Sequence, residues 1–512
     1  MSLRLMVQGT SSDVGKSLLC TALCRIFARK GYRVAPFKSQ NMALNSYVTS
    51  DGKEIGRAQG VQAEAAGVEA TVDMNPILLK PKGDMTSQVV VRGVPLQDMS
   101  AVEYRQNYIP QALQVVKESL DRLRSEFEVL IIEGAGSPAE INLKSRDIAN
   151  MKIAELADAP VILVADIDRG GVFASIVGTL ELLEAAERNR VKGFIINKFR
   201  GDIRLLAPGI DWLEKRTGIP VLGVVPYRRN LYIESEDSVV LDSLTAAAAG
   251  QNQIDVAVIR FPFISNFTDV DPLRFEPDVS LRFVADVDQL GMPDLVILPG
   301  TKNTVDDLVW LKRSGLAEAI RCRAKDGRVL GICGGYQMLG SRLFDPDFVE
   351  SDLPELEGLG LLDVTTRFLP QKTTVQAQGT VLTLPAQSAV LSGLPVEGYE
   401  IHMGQSERGK RVAPFCRLES ENGRKQEEGA VNETGTVIGT YLHGILHNDS
   451  FRRILLDQIR IGKGLAPLET TVSNHRRRQE AFDEWADTVE TELDMERLFS
   501  IMKMFEERSV IK

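Results

Sequence analysis

The stretch GTSSDVGKS, Gly9 to Ser17, decides the fold of the first half of the chain. The apolar LRLMV (3–7) precedes it, and KSLLCTALCRIFARKG follows, with Leu19, Leu23, Ile26 and Phe27 on one helical face and Gly31 as the stop. A glycine-rich loop between a buried strand and a helix points backbone N–H groups inward at the positive end of the helix, which suits phosphate. The common phosphate-loop template puts four residues between its glycines. Here five, Thr10, Ser11, Ser12, Asp13 and Val14, separate Gly9 from Gly15. The strand-loop-helix context still favours a nucleotide site over a glycine turn with an incidental Lys-Ser. In that reading the loop cradles ATP, Lys16 reaches the terminal phosphates and the Ser17 hydroxyl ligates Mg²⁺.

Working outward, short apolar strands alternate with helices: RVAPF (33–37), EVLII (128–132), PVILVA (160–165), GFII (193–196) and PVLGVV (220–225). Continuous apolar strands separated by helices imply a parallel sheet covered on both faces, and ligands gather at the carboxyl ends of such strands. VLIIEGAGS puts Glu133 at one of those ends, a second magnesium ligand beside Ser17. The pattern weakens from about 227 to 253, and a second α/β unit begins at IDVAVIRFP (254–262). The expectation is two doubly wound α/β domains with mainly parallel sheets, over 1–240 and 252–448, and a helical tail over 449–512. In that tail HRRRQ (475–479) reads as a solvated helix face.

A 512-residue chain with 44% hydrophobic and 25% charged residues fills more than one core. Its net charge of -10 speaks against a nucleic-acid partner. No apolar run is long enough to span a membrane, and MSLRLMVQGT enters a strand without a leader. Five scattered cysteines favour a reducing compartment, so a cytoplasmic enzyme is expected.

In the second half, LGICGGYQMLG (330–340) follows a strand and precedes a helical pattern. Small residues on both sides of Cys333 suit a nucleophile elbow with sulfur in place of oxygen. The helix N-terminus favours the thiolate, and the Gly334 N–H is placed to hold an oxyanion. Of the histidines 402, 443, 447 and 475, His443 is the favoured base, since it follows the strand TVIGTYL; His402 in YEIHMG is its competitor.

GTSSDVGKS with EGAG resembles dethiobiotin synthetase and its relatives, P-loop enzymes that phosphorylate carboxylate-type substrates. That resemblance implies an adenine-reading Asn197 in NKFRGD and a second acidic magnesium ligand, for which Asp51 and Glu54 are both candidates. The second half resembles the class I glutamine amidotransferases: Gly331, Cys333, Gly335 and Gln337 match their elbow, and LPGTKNT looks like their oxyanion loop with Gly300 as donor. Many of those domains carry a glutamate two residues after the histidine, where this chain has Ile445. The resemblance therefore implies a Cys–His dyad, with Glu400 a candidate for a third member.

A glutaminase supplies ammonia, and ammonia displaces the oxygen of a carboxylate only once that oxygen is a good leaving group. Phosphorylation by the P-loop half makes it one, so the two halves together read as an ATP-dependent amide synthase. QGTSSDVGKS, PFKSQNMALNS, EIGRAQ, ADIDRGGVFAS, NKFRGD, PGTKNT, GICGGYQMLG and YEIHMG run in the order of the adenosylcobyric acid synthases. That resemblance implies a corrinoid substrate, adenosylcobyrinic acid a,c-diamide, amidated on its b, d, e and g side chains with glutamine and ATP. Lys38, Arg57, Arg169 and Arg200 are candidates to line a basic cleft for it. The a,c-diamide synthases and cell-wall amidotransferases share this two-domain logic. A partner-binding P-loop ATPase with an inert glutaminase-like domain is the alternative of another class.

Overall fold

The computed structural model describes residues 2–82, 86–228, 231–234, 253–420, 423, 425–468 and 472–511. Most of the expected linker between 227 and 253 lies outside them. The first sheet has six parallel strands in the order Val221–Pro226, Val191–Phe199, Val161–Asp166, Leu3–Gly9, Val129–Glu133, Val34–Phe37. Every residue of Leu3–Gly9 is buried, because side chains pointing either way meet a covered face. One face packs on Ala112, Val116, Leu120 and Ile176, the other on Leu19, Leu23, Ile26 and Phe27. Chain order changes direction around Leu3–Gly9, which opens a crevice at its carboxyl end.

The second sheet carries five parallel strands, Val279–Val284, Ile254–Ile259, Leu295–Leu298, Arg328–Ile332 and Val437–Thr440, with Ala430–Asn432 and Val412–Ala413 added antiparallel at one edge. The chain is thus α/β with two mainly parallel sheets. A separate antiparallel layer is built on the long pair Val364–Val381 and Pro395–Arg408. The register of that pair slips between Phe368 and Thr373.

The C-terminal segment is helical, and it packs back on the chain beyond the solvated face expected at HRRRQ. Helices Asn474–Glu492 and Met495–Ile511 return to the first domain, where Phe482, Trp485 and Val489 join the core around Leu19, Leu23 and Phe27. His475, Arg476 and Arg477 are exposed as expected, but Arg478 is drawn between Glu64 and Glu234. Sequence alone shows a polar stripe; a turn later, the same helix carries the apolar face that needs a partner. Among the described residues no helix is long and apolar enough to cross a membrane.

Candidate functional site

The phosphate loop is wound tightly over the end of Leu3–Gly9. Asp13 and Gly15 take positive φ, 58° and 96°, and a Cβ on Gly15 would stand 2.2 Å from Asn197 Nδ2. Asn197 donates to Val14 O at 2.7 Å, so strand Val191–Phe199 clamps the loop. Lys16 Nζ donates to Ser11 O (3.0 Å) and Gly136 O (3.2 Å). Ser17 Oγ donates to Glu133 Oε1 at 2.8 Å. The same carboxylate takes Lys38 Nζ at 2.9 Å and Gln62 Nε2 at 2.6 Å. A hydroxyl and a strand-end carboxylate in contact at the mouth of a phosphate loop form a donor set that suits Mg²⁺ alongside phosphate oxygens.

These groups open on a cleft of about 1230 Å³, lined also by Lys38, Arg146, Arg169, Arg200, Arg228 and Trp485. That exceeds the 300–1,000 Å³ of a usual small-molecule pocket. Arg200 lies over the Tyr227 ring, 3.7 Å from its centroid. Three expectations need correcting. Asp51 is exposed and bonded to Thr49, and Glu54 is buried between Lys80 and Lys372; neither lines the cleft, so neither is placed as the second magnesium ligand. Arg57 is buried against Glu234 rather than turned toward a ligand. The cause is common to all three. The hairpin of Ser46–Val48 and Glu54–Gly56 turns toward the second domain, where Ser46 N donates to Asn266 Oδ1 (2.8 Å) and Lys372 meets Glu54.

In the second domain Cys333 follows Arg328–Ile332 with φ 53° and ψ −109°, a strained elbow for a residue with a side chain. Only glycine fits at 335, where a Cβ would lie 1.9 Å from Leu298 O. The helix that follows, Gly334–Leu339, is six residues long, so its dipole is short and a charged neighbour matters more to the sulfur. Cys333 Sγ donates weakly to Ile401 O at 3.5 Å.

His443 is fully buried, and its Nδ1 is 2.7 Å from Asp269 Oδ2, while the other oxygen of Asp269 accepts from Gly444 N at 2.9 Å. Burial works against charge on the ring, but Asp269 and the sulfur of Cys333 more than offset it and hold the imidazolium up to about 10. Gly300 abuts the ring: a Cβ there would stand 3.0 Å from His443 Cε1. Gly334 meets the same loop at Thr301. Gln337 is buried, accepting from Thr304 Oγ1 (2.9 Å) and donating to Tyr441 OH (3.2 Å).

His402, the competitor, stacks on Tyr441 with centroids 3.7 Å apart and bonds Gly404 O through Nδ1. Burial pushes it down to about 4. Glu400 accepts from Gln426 and does not orient His443. The expected two-residue dyad therefore gains Asp269 on His443 Nδ1, while His443 Nε2 is buried with no hydrogen-bond partner among the described residues. Sequence reasoning missed Asp269, which sits in the nine-residue 3-10 helical segment Phe267–Phe275. Its signal was FISNFTDVDP at the carboxyl end of Ile254–Ile259, on the rim from which Cys333 also emerges.

Two family models cover most of the chain. Residues 5–239 match the CobQ/CobB/MinD/ParA nucleotide binding domain, and residues 255–451 match the CobB/CobQ-like glutamine amidotransferase domain. The chain is 53% identical to a cobyric acid synthase of Geobacillus sp. (strain WCH70), across 99% of each chain. It is 53% identical to one of Desulforamulus reducens (98% of each) and 52% identical to one of Yersinia enterocolitica (99% of each).

Proposed function

Since the chain belongs to the cobyric acid synthase family, glutamine-dependent amide-forming ligases of cobalamin biosynthesis, we propose that it amidates the b, d, e and g carboxylates of adenosylcobyrinic acid a,c-diamide. The observation that carries this reading is the pairing, in one chain, of the Cys333–His443–Asp269 line with a P-loop cleft of about 1230 Å³, roomy enough for a nucleotide beside a macrocycle.

At the glutaminase centre the Cys333 thiolate attacks the side-chain carbonyl of glutamine. The backbone N–H groups of Gly300 and Gly334 hold the oxyanion, and Gln337 keeps the loop and the elbow in register through Thr304. His443 gives its Nε2 proton to the departing nitrogen, which leaves as ammonia. Water then cleaves the thioester to glutamate, with the same nitrogen taking the proton. Asp269 fixes the tautomer and supports the charged ring.

In the cleft a corrinoid carboxylate oxygen attacks the γ-phosphorus of ATP, ADP leaves, and an acyl phosphate results. Ammonia attacks the acyl carbon and phosphate departs with the C–O bond, leaving the amide. The loop from Gly9 through Thr10, Ser11, Ser12, Asp13, Val14 and Gly15 cradles the phosphates, Lys16 draws off charge, and Asn197 holds the loop beside the base. Magnesium would be held by Ser17 and Glu133, where it neutralises phosphate charge. Lys38, Arg169 and Arg200 offer cationic groups for the corrinoid carboxylates. The chain divides as a synthetase domain over 1–240, an amidotransferase domain over 252–448 and a C-terminal segment over 449–512, and it works in the cytoplasm.

The test is mass spectrometry of the a,c-diamide incubated with the protein, Mg-ATP and glutamine labelled at its amide nitrogen. A ladder of labelled amides ending at the fourfold product is expected. An unchanged corrinoid with glutamine still hydrolysed would remove the substrate and keep the glutaminase.

A further inference from the structure

Tyr399 is 7% exposed, and its hydroxyl is buried with no hydrogen-bond partner among the described residues. A lone buried hydroxyl carries a desolvation cost that a native structure retains only for a reason. Its ring lies parallel to that of His443, 5.0 Å between centroids and 11° between planes, and the two backbones exchange hydrogen bonds, His443 N to Tyr399 O at 2.9 Å and Tyr399 N to His443 O at 3.2 Å. Two residues along the strand, Ile401 presents its carbonyl to Cys333 Sγ. Tyr399 and Ile401 together pack on Val48, which belongs to the hairpin of the other domain. So one wall of the glutaminase centre is the same strand that touches the synthetase half.

Burial raises the phenol well above its ordinary value, and the charged groups that act on it are, in order, Asp269, Arg57, Glu234 and Cys333. Asp269 belongs to the glutaminase line. Arg57 and Glu234 are paired with each other, and Glu234 also lines the P-loop cleft. Tyr399 therefore stacks on the machinery of one centre and packs on a residue of the other domain.

We propose that Tyr399 is the positioning residue that takes ammonia from the Cys333–His443 centre and passes it, past Val48, toward the acyl phosphate in the cleft. The proposal rests on the amide-ligase reading above. The phenol O–H donates to the lone pair of ammonia and its oxygen accepts an ammonia N–H, so the orphan hydroxyl gains both partners from the passenger. No bond is made or broken. The groups along this line are poor proton donors: burial keeps the phenol protonated, Glu234 stays ionised between Arg478 and Arg57, and Arg57 keeps its proton. Ammonia is thus carried as the nucleophilic free base.

The experiment offers wild type, Tyr399→Phe and Val48→Phe the corrinoid, Mg-ATP and glutamine labelled at the amide nitrogen, with unlabelled ammonium in excess. The readouts are the labelled fraction of product amide and the glutamine consumed per amide formed, both ratios within one sample. Wild type should keep the label undiluted. Tyr399→Phe should lower the labelled-to-unlabelled ratio by about fivefold, the worth of one hydrogen bond, and raise glutamine consumption per amide. Val48→Phe, which narrows the facing wall, should shift both in the same direction. A thermal melt should show Tyr399→Phe at least as stable as wild type, since it deletes an unbonded hydroxyl. Label retained undiluted in both variants overturns the role of Tyr399 while leaving the ligase reading intact. Wild-type product without label overturns the ligase reading, and this proposal with it.

Discussion

Around Cys333 the supporting contacts are close-set: His443 Nδ1 is on Asp269, the elbow is locked by Gly335, and Gln337 is bonded on both sides. At the P-loop the charged groups line a cleft instead. Lys16 donates to two backbone carbonyls and Lys38 pairs with Glu133 at its mouth. One centre is buried and closed, the other an open cleft of about 1230 Å³. The difference follows from their chemistry. Glutamine is small and can be enclosed with its water, whereas a site that turns one macrocycle through four carboxylates needs room and ligand-driven ordering.

The sharpest way to separate the two centres is Cys333→Ala. It removes the nucleophile and should cut glutamine-driven amidation by about 10⁴-fold or more, while ammonia supplied from solution still supports synthesis. Assays with each nitrogen source side by side check this; a matched loss with both would mean the centres are not separable. Next in size is Lys16→Ala. Removing the cation aimed at the terminal phosphates should lower amidation by about 10³-fold with glutamine and ammonia alike. Survival of ammonia-driven synthesis would move phosphate activation away from this loop.

What the sequence made legible divides along the same line. Strand, loop and helix around Gly9–Ser17 were readable because phosphate loops are local, and Cys333 was readable because an elbow needs its glycines within two positions. Glu133 and His443 were reachable as the residues ending or following apolar runs in a parallel sheet. Asp269 was not. It is 174 residues from His443, and TDVDP offers Asp269 and Asp271 with nothing local to choose between them. Glu54 and Arg57 misled for the converse reason. Their motif lies close to the P-loop in sequence, but its hairpin faces the other domain, and only tertiary contact reveals that. The same holds for Trp485, whose indole donates to Leu18 O across 467 residues.

Asp269→Asn tests the residue the sequence hid. The amide keeps the shape and loses the charge, so glutaminase turnover should fall by about 10²-fold with synthesis from free ammonia spared. The pH profile gives a signature that packing loss would not. His443 is held up to about 10, against 6.5 for the free imidazole, so its proton stabilises the native chain in full below about 6.5 and that contribution is gone once pH has risen through about 10. Without the carboxylate the folded value falls. The upper limb of kcat/KM against pH should therefore move toward acid in Asp269→Asn, and an unmoved limb would place the orienting charge elsewhere.

The smallest effect belongs to the other histidine of the same region. His443 is buried and His402 half-buried close to Cys333, yet they are set in opposite directions. Burial pushes His402 down to about 4, and its Nδ1 is committed to Gly404 O, so between about pH 4 and 10 it is neutral while His443 is charged. A neutral ring with its proton already shared cannot store the proton that ammonia needs. Its positive charge would also oppose that of His443, as mutual repulsion between the two rings contributes to keeping it neutral. His402→Gln, which keeps a donor for Gly404 O but gives up the stack on Tyr441, should change glutaminase kcat by no more than about threefold and leave the upper pH limb in place. A large loss accompanied by a shifted limb would make His402 a partner in proton transfer, and the line from Cys333 through His443 to Asp269 would no longer account for the chemistry alone.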